Sequence, residues 1–205
     1  FQNEYRQQNK DSFFMADFGL TKGYQSSIEG SNKNSMSHLF SKFKSNLKLN
    51  GFAKSQLEIN LEKTSNDTYL RLFDANIPDS EIKPDRNSLL ESGLKINLDH
   101  EDYNLSTGMT IYENLSGTNS DRFQYIFPYY DFDRSINTNF SGTFNFSSNG
   151  SNTLQNTNNL KTKVSNNFSY NSDDYFTDIG LKNNFNFYFK NFNALAKNDD
   201  IYKSN

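Results

Sequence analysis

The chain has 205 residues, a formal charge of -3 and a mean hydropathy of -0.86. The weak charge and the lack of a basic cluster argue against nucleic-acid binding. The chain contains no run of about 18 apolar residues, so no transmembrane helix is predicted. There is no cysteine, which excludes disulfides and thiolate metal sites in these residues.

Alternation of apolar and polar residues predicts about ten β-strands and no sustained helix. Within residues 53–63, for example, Leu57 and Ile59 fall on one face, and Glu58 and Asn60 fall on the other. In chain order, the predicted strands cover about residues 1–8, 12–20, 38–49, 53–63, 89–98, 103–111, 123–132, 138–147, 160–168 and 179–189. The low hydropathy is compatible with a membrane barrel, because only alternate residues of each strand face lipid.

The connections between these strands alternate in length. Short connections are predicted at about residues 9–11, 50–52, 99–102, 133–137 and 171–174. Long connections are predicted at about residues 21–36, 64–88, 113–121 and 148–158. Short turns at one end and long loops at the other are typical of an up-and-down outer-membrane barrel.

Strand length and register favour the same fold. Soluble strands average about 5–6 residues, whereas a barrel strand needs about 9–11 to cross the bilayer. Slipping strand 53–63 by one residue would turn Lys54, Glu58 and Glu62 towards lipid, at a cost on the order of several kcal/mol. We therefore predict an all-β, antiparallel up-and-down transmembrane β-barrel, with a soluble β-sandwich as the competing hypothesis.

Three segments in the middle of the chain carry a series of motifs: SHLFSKF at 37–43, LEINLEKTSNDTYLRLF at 57–73 and DRFQYIFPYYDF at 121–132. In order and rough spacing, this series resembles the LptD family of lipopolysaccharide-assembly outer-membrane proteins. The closest likeness spans about residues 37–133, and outside it the chain resembles barrel strands in general. The family-motif residues are His38, Asp67, Tyr69, Leu70, Arg71, Arg122, Tyr125 and Pro128.

The resemblance implies a non-enzymatic translocon in the outer membrane of a Gram-negative bacterium, where it inserts lipopolysaccharide into the outer leaflet. The implied partners are lipopolysaccharide, outer-membrane lipid, an LptE-like plug lipoprotein inside the barrel and an LptA-like periplasmic bridge. No cofactor and no nucleic acid are implied. On this interpretation residues 1–205 are an internal part of one larger barrel domain, so that about ten strands form an open, curved sheet. The periplasmic domain, the remaining strands and the lateral gate would lie outside this part.

The polar face of the predicted strands supplies the candidate substrate- or plug-facing residues of the lumen. These are Lys42, Lys44, Lys48, Lys54 and Glu58. A hydrated lumen wall is the simpler interpretation, since a wide barrel keeps its interior wet. Contact with an anionic headgroup or a plug protein is the more specific hypothesis.

Other residues predict structure rather than chemistry. Pro128 lies inside a strand, where it removes a ladder donor and predicts a bulge. His38 and His100 are the only histidines, and no serine in a distinctive setting accompanies either, so no catalytic site is predicted. Two further hypotheses stay open: another outer-membrane barrel, such as a porin or a receptor-type transporter, and a soluble adhesin-like β-domain.

Overall fold

The computed structural model describes residues 1–21, 35–77, 79–137, 141–199 and 201. The chain is all-β, and its main feature is an antiparallel sheet of ten strands that is not closed. These strands are β1 (Gln2–Gln8), β2 (Ser12–Thr21), β3 (Met36–Asn46), β4 (Phe52–Thr64), β5 (Leu89–His100), β6 (Tyr103–Asn114), β7 (Phe123–Asn137), β8 (Gly142–Gln155), β9 (Asn159–Ser172) and β12 (Asn186–Lys197). From β1 to β9 each strand pairs with its neighbours along the sequence, β9 pairs with β12, and β1 and β12 form the two edges of this sheet.

Short elements lie in the connections. Helix α1 (Tyr69–Phe73) and the 3-10 turn η1 (Asp74–Asn76) lie between β4 and β5, and the 3-10 turn η2 (Asn119–Arg122) precedes β7. A two-stranded hairpin of β10 (Tyr175–Phe176) and β11 (Lys182–Asn183) lies between β9 and β12. Among the described residues, no helix has the length and apolar character that a membrane crossing would require.

The register keeps the two kinds of side chain on separate faces. Directly paired apolar residues form a row across five strands: Phe14, Phe43, Ile59, Leu94 and Met109. We call this side the apolar face. A neighbouring row on the opposite side pairs Lys44, Glu58 and Lys95, and we call that side the polar face. The predicted period-two alternation is therefore confirmed for these strands.

The predicted alternation of connection lengths holds up to β7, where the long connection predicted at 113–121 is found at 115–122. The connections at 9–11, 47–51 and 101–102 are short, whereas those at 22–35 and 65–88 are long. Within the connection at 22–35, residues 22–34 lie outside the described residues. The prediction of a long loop at 148–158 is wrong, because β8 continues to Gln155 and only residues 156–158 join it to β9. The loop was predicted because residues 147–153 are polar on both faces, yet this stretch pairs fully with β9.

The end of the chain departs from prediction in the same way. A short turn was predicted at 171–174, but residues 173–185 connect β9 to β12 and include the β10–β11 hairpin. The predicted last strand began at Ile179, but Ile179 lies in the turn of that hairpin, next to Gly180 at φ 81°. The strand itself begins at Asn186. Alternation of apolar residues did not distinguish the hairpin from the strand that follows it.

The bulge predicted at Pro128 is confirmed. The register of β7 shifts between Ile126 and Tyr129 where it pairs with β8. It also shifts opposite Gly108 and Thr110 of β6. Because proline has no backbone N–H to donate, the ladder is interrupted locally, and the extra residue of the bulge is accommodated there.

The hydrophobic core lies at the end of β2 and β3 that is next to the long connections, and its residues from these two strands, Met15, Met36 and Phe40, lie on the polar face. Segment 65–88 folds over this end, and α1 supplies two of the most buried side chains, Tyr69 and Leu70. Asn66 starts the turn into α1, since its Oδ1 accepts hydrogen bonds from the backbone N–H of Thr68 at 2.8 Å and from its hydroxyl at 2.6 Å. The buried apolar residues of this core are Met15, Met36, Phe40, Tyr69, Leu70, Ile77, Ile82, Leu90 and Leu115.

Candidate functional site

The three family-like segments, which are far apart in the sequence, meet at this core. The first and second are joined where His38 Nδ1 lies 2.8 Å from the hydroxyl oxygen of Tyr69. The second and third are joined where an Arg122 guanidinium nitrogen donates to Asp67 Oδ1 at 2.7 Å. The motif residues thus form one connected structural unit, which we call the motif junction.

The most buried part of the motif junction is a line of three polar side chains. Asp17, His38 and Tyr69 are 1%, 2% and 3% exposed, and His38 Nε2 faces Asp17 Oδ1 at 3.4 Å. A neutral ring suits both neighbours: Nδ1 can accept the Tyr69 O–H, while Nε2 and Asp17 Oδ1 lie near each other without a hydrogen bond. Gln2 donates to the other Asp17 oxygen at 2.9 Å.

Packing holds the imidazole of His38 in this position. Its ring stacks on Phe40 with centroids 4.4 Å apart. Gly19, the directly paired residue of β2, leaves the space that the ring fills: a Cβ there would be 2.4 Å from His38 Cε1. Burial raises the pKa of Tyr69, and the nearby Asp17 carboxylate adds to the rise. Sequence reasoning missed Asp17 and Gly19; the signal was an acid and a glycine on the otherwise apolar Phe13–Met15 side of β2.

Arg122 holds the second connection of the motif junction. Besides Asp67, it donates to Glu113 at 2.5 Å, and Lys63 Nζ donates to the same carboxylate at 2.8 Å. The Glu113 side chain is 9% exposed, so these two cations offset the cost of burying its charge. Both cations also lie over the Phe123 ring, with Arg122 Cζ at 5.7 Å from its centroid.

The remaining motif residues have structural positions. Leu70 lies in the core, and Arg71 donates to Ser116 Oγ at 2.7 Å. Tyr125 lies on the apolar face, with its ring 6.0 Å from that of Phe123. Pro128 lies at the β7 bulge.

The structure brings together three of the five candidate lumen residues. Lys42 and Lys44 lie on the polar face, and their Nζ atoms are 3.9 and 3.2 Å from Glu58 Oε1. Lys48 lies instead in the β3–β4 connection at φ 52°, where it pairs with Asp11. Lys54 lies near the start of β4, opposite Asp99 of β5.

Next to Lys42 and Glu58, a cavity of about 290 Å³ separates the polar face from segment 65–88. Carboxylates outnumber ammonium groups around it. The carboxylates are Glu58, Glu62, Glu81, Asp85 and Glu91, and the ammonium groups are Lys42, Lys83 and Lys95. Lys83 also holds together two parts of segment 65–88, since its Nζ donates to the Asp74 carbonyl at 3.2 Å and to the Ile77 carbonyl at 3.4 Å. Among the described residues, no group of three or more histidines and carboxylates is placed to hold a metal ion.

The apolar face carries a row of aromatic rings near the β3–β4 and β5–β6 turns. Neighbouring ring centroids are 4.9 to 6.1 Å apart along Phe52, His100, Tyr103, Phe132 and Phe146. From Phe146 the row continues through directly paired residues, Phe168 of β9 and Phe189 of β12. One aromatic row therefore crosses seven strands of the sheet on one face.

No family model, no curated protein and no solved structure matches this chain.

Proposed function

We propose that this chain forms part of an outer-membrane β-barrel that delivers lipopolysaccharide to the outer leaflet, with its apolar face towards lipid and its polar face towards a hydrated interior. The observation that carries the membrane part is the aromatic row on the apolar face. Membrane barrels have girdles of aromatic residues at both interfaces with water, where a ring contacts lipid and headgroup together.

Strand length is consistent with this placement. A strand of 12 residues, such as β5 or β6, extends about 40 Å at about 3.3 Å per residue. At a tilt of about 45°, it would rise about 28 Å, close to the apolar band of about 25 Å that such barrels present.

The lipopolysaccharide part rests on the resemblance of the three motifs and on Lys42 and Lys44, whose ammonium groups line the polar face. The contacts between His38 and Tyr69 and between Arg122 and Asp67 support the grouping of the three motifs. The open sheet leaves room for the further strands of a larger barrel. An LptE-like plug and an LptA-like bridge remain part of this proposal.

The acidic cavity favours a second candidate, a barrel that passes cationic solutes. Five carboxylates against three ammonium groups disfavour an isolated phosphate at that position and attract cations. The two candidates differ in what a charge change on the polar face would do.

The test is Lys42→Glu with Lys44→Glu, compared with Lys48→Glu in the turn. For a lipopolysaccharide translocon, we expect surface-labelled lipopolysaccharide to fall at least twofold at normal protein level, with little effect of Lys48→Glu. A Lys42→Gln, Lys44→Gln variant controls for repulsion from Glu58. Normal surface display together with faster influx of a small cation would contradict the translocon and support the second candidate.

A further inference from the structure

The apolar face changes character in its last three strands. On β8, β9 and β12 it carries six polar side chains, which we call the polar patch: Ser148, Asn152, Thr162, Asn166, Asn191 and Asn193. The patch has aromatic residues on one side, such as Phe168, and leucines on the other, such as Leu160. It therefore lies inside the band that would face hydrocarbon, not at its rim.

Hydrogen bonds within the patch use carboxamide oxygens as acceptors. The Ser148 hydroxyl donates to Asn166 Oδ1 at 2.8 Å, and the Tyr130 hydroxyl lies 3.1 Å from Ser148 Oγ. The Thr162 hydroxyl donates to Asn152 Oδ1 at 2.9 Å. These bonds do not use the amide N–H donors of Asn152 and Asn166. A hydrocarbon neighbour offers such donors no acceptor, so a polar surface is the favourable neighbour.

The same face of β2 to β6 shows the contrast. Its paired row of Phe43, Ile59 and Leu94 suits lipid. In the patch, Ser148, Asn166 and Asn191 pair directly in the same way. Two regions of one face that differ this much have different neighbours.

We infer that the polar patch is the contact surface for a second copy of this chain within the membrane; this inference rests on the proposed membrane placement. A twofold-symmetric contact requires a surface that complements itself. Carboxamides meet this requirement because each has both donors and acceptors. On this face of β8, β9 and β12, the rows of paired residues between the Phe146 row and the Leu154 row hold no charged side chain. Arg134, paired with Phe146, and Lys197, in the Leu154 row, lie at the two ends of the patch, so a charged partner finds no counter-ion at its centre.

The size of the surface also suits a second copy. Three to four strands about 4.8 Å apart and about 40 Å long present about 700 Å². A stable interface of standard size buries about 800 Å² per partner. The polar patch lies at the centre of this area, and aromatic residues such as Phe168 and Phe189 lie at one end of it.

The absence of cysteine makes a direct test possible. Asn166→Cys, in the middle strand of the patch, is treated with a short bis-maleimide in the membranes of cells that express the protein. We expect a band at twice the mass that contains at least half of the protein. Ile59→Cys, on the apolar face of β4, is the matched control and is expected to give less than a tenth of that band. Cross-linking of Asn166→Cys at the control level, or only to another protein or to lipid, would overturn the inference.

A second variant separates this inference from the proposed function. Replacing Asn152, Asn166 and Asn191 by leucine is expected to lower the dimer fraction in detergent at least tenfold, while the protein remains in the outer-membrane fraction. Dimer that persists in this variant would contradict the contact. A protein that inserts in the membrane without cross-linking overturns the contact alone, whereas a cross-linked protein in the soluble fraction supports the contact and contradicts the membrane placement.

Discussion

Strands β2 to β6 and strands β8, β9 and β12 have the same pairing but differ in what covers them. All nine buried apolar residues in the described part of the chain come before residue 116. They form one cluster where segment 65–88 packs against the sheet. In the described residues beyond that point, Ser148 and Asp199 are the buried ones. The same meander is thus held by packing in one region and mainly by its backbone ladder in the other.

This difference shows that backbone pairing alone is enough to form the sheet but not to organise a site. The motif junction forms only where a long connection returns to the sheet and brings Tyr69 against His38. Among the described residues, no buried apolar side chain packs on the last strands, whose two faces are therefore more open. Variants that remove the cover should therefore affect the first region and leave the second intact.

The largest expected effect is that of Leu70→Ala. Leu70 is 1% exposed, and truncating a buried leucine costs about 2–5 kcal/mol because a cavity remains. We expect rapid proteolytic cleavage within segment 65–88 and a lower unfolding midpoint in urea. Leu72→Ala is the control, since Leu72 lies on the same helix but is 40% exposed. Equal sensitivity of the two variants would show that the segment is not held by its core.

Gly19→Ala should disturb the same region from the strand side. The added Cβ would lie 2.6 Å from His38 Nδ1 and 3.0 Å from the Tyr69 hydroxyl oxygen. Overpacking of this kind costs about 1–3 kcal/mol. Urea unfolding measures the loss, and Leu20→Ala on the exposed face of β2 is the control. A Gly19→Ala protein as stable as the wild type would mean that His38 can move aside without cost.

Arg122→Gln tests the second connection of the motif junction. We expect a loss of about 1–3 kcal/mol, because the 9% exposed Glu113 loses a charged donor. Asp67 is 51% exposed, so its pair with Arg122 should contribute less than about 1 kcal/mol. Double-mutant cycles with Glu113→Gln and with Asp67→Asn measure the two couplings by urea unfolding. A larger coupling for Asp67 than for Glu113 would reverse this assignment.

The smallest effect is expected from alkaline pH. The pKa of Tyr69 is raised above its ordinary value of 10.0 by burial, so the folded state holds the phenol proton more tightly than the unfolded state. Its contribution to stability is fully present below pH 10 and is lost as the pH rises above that value. Proteolysis of segment 65–88 should increase above pH 10 in the wild type. A Tyr69→Phe variant lacks the ionisable group, and an identical pH profile in it would assign the change to other groups.

Local pattern was sufficient for much of the fold. Most strands, their faces and the bulge at Pro128 follow from period-two alternation and from the missing proline N–H. The pattern failed at 147–153, where polar residues on both faces concealed the second half of β8, and at Ile179, where apolar residues of a hairpin follow the same alternation as a strand. For the site, it grouped Lys42, Lys44 and Glu58, but it did not place Lys48 in a turn or connect His38 to Tyr69.

The sequence by itself determined where the chain extends and which side of each strand is apolar, because side-chain direction alternates with a period of two whatever the neighbouring strand is. Only the tertiary structure decided which distant residues meet, since this depends on strand register and on the path of a long connection. Asp17, His38 and Tyr69 come from three different elements, and burial of their polar groups is tolerable only because they are brought together.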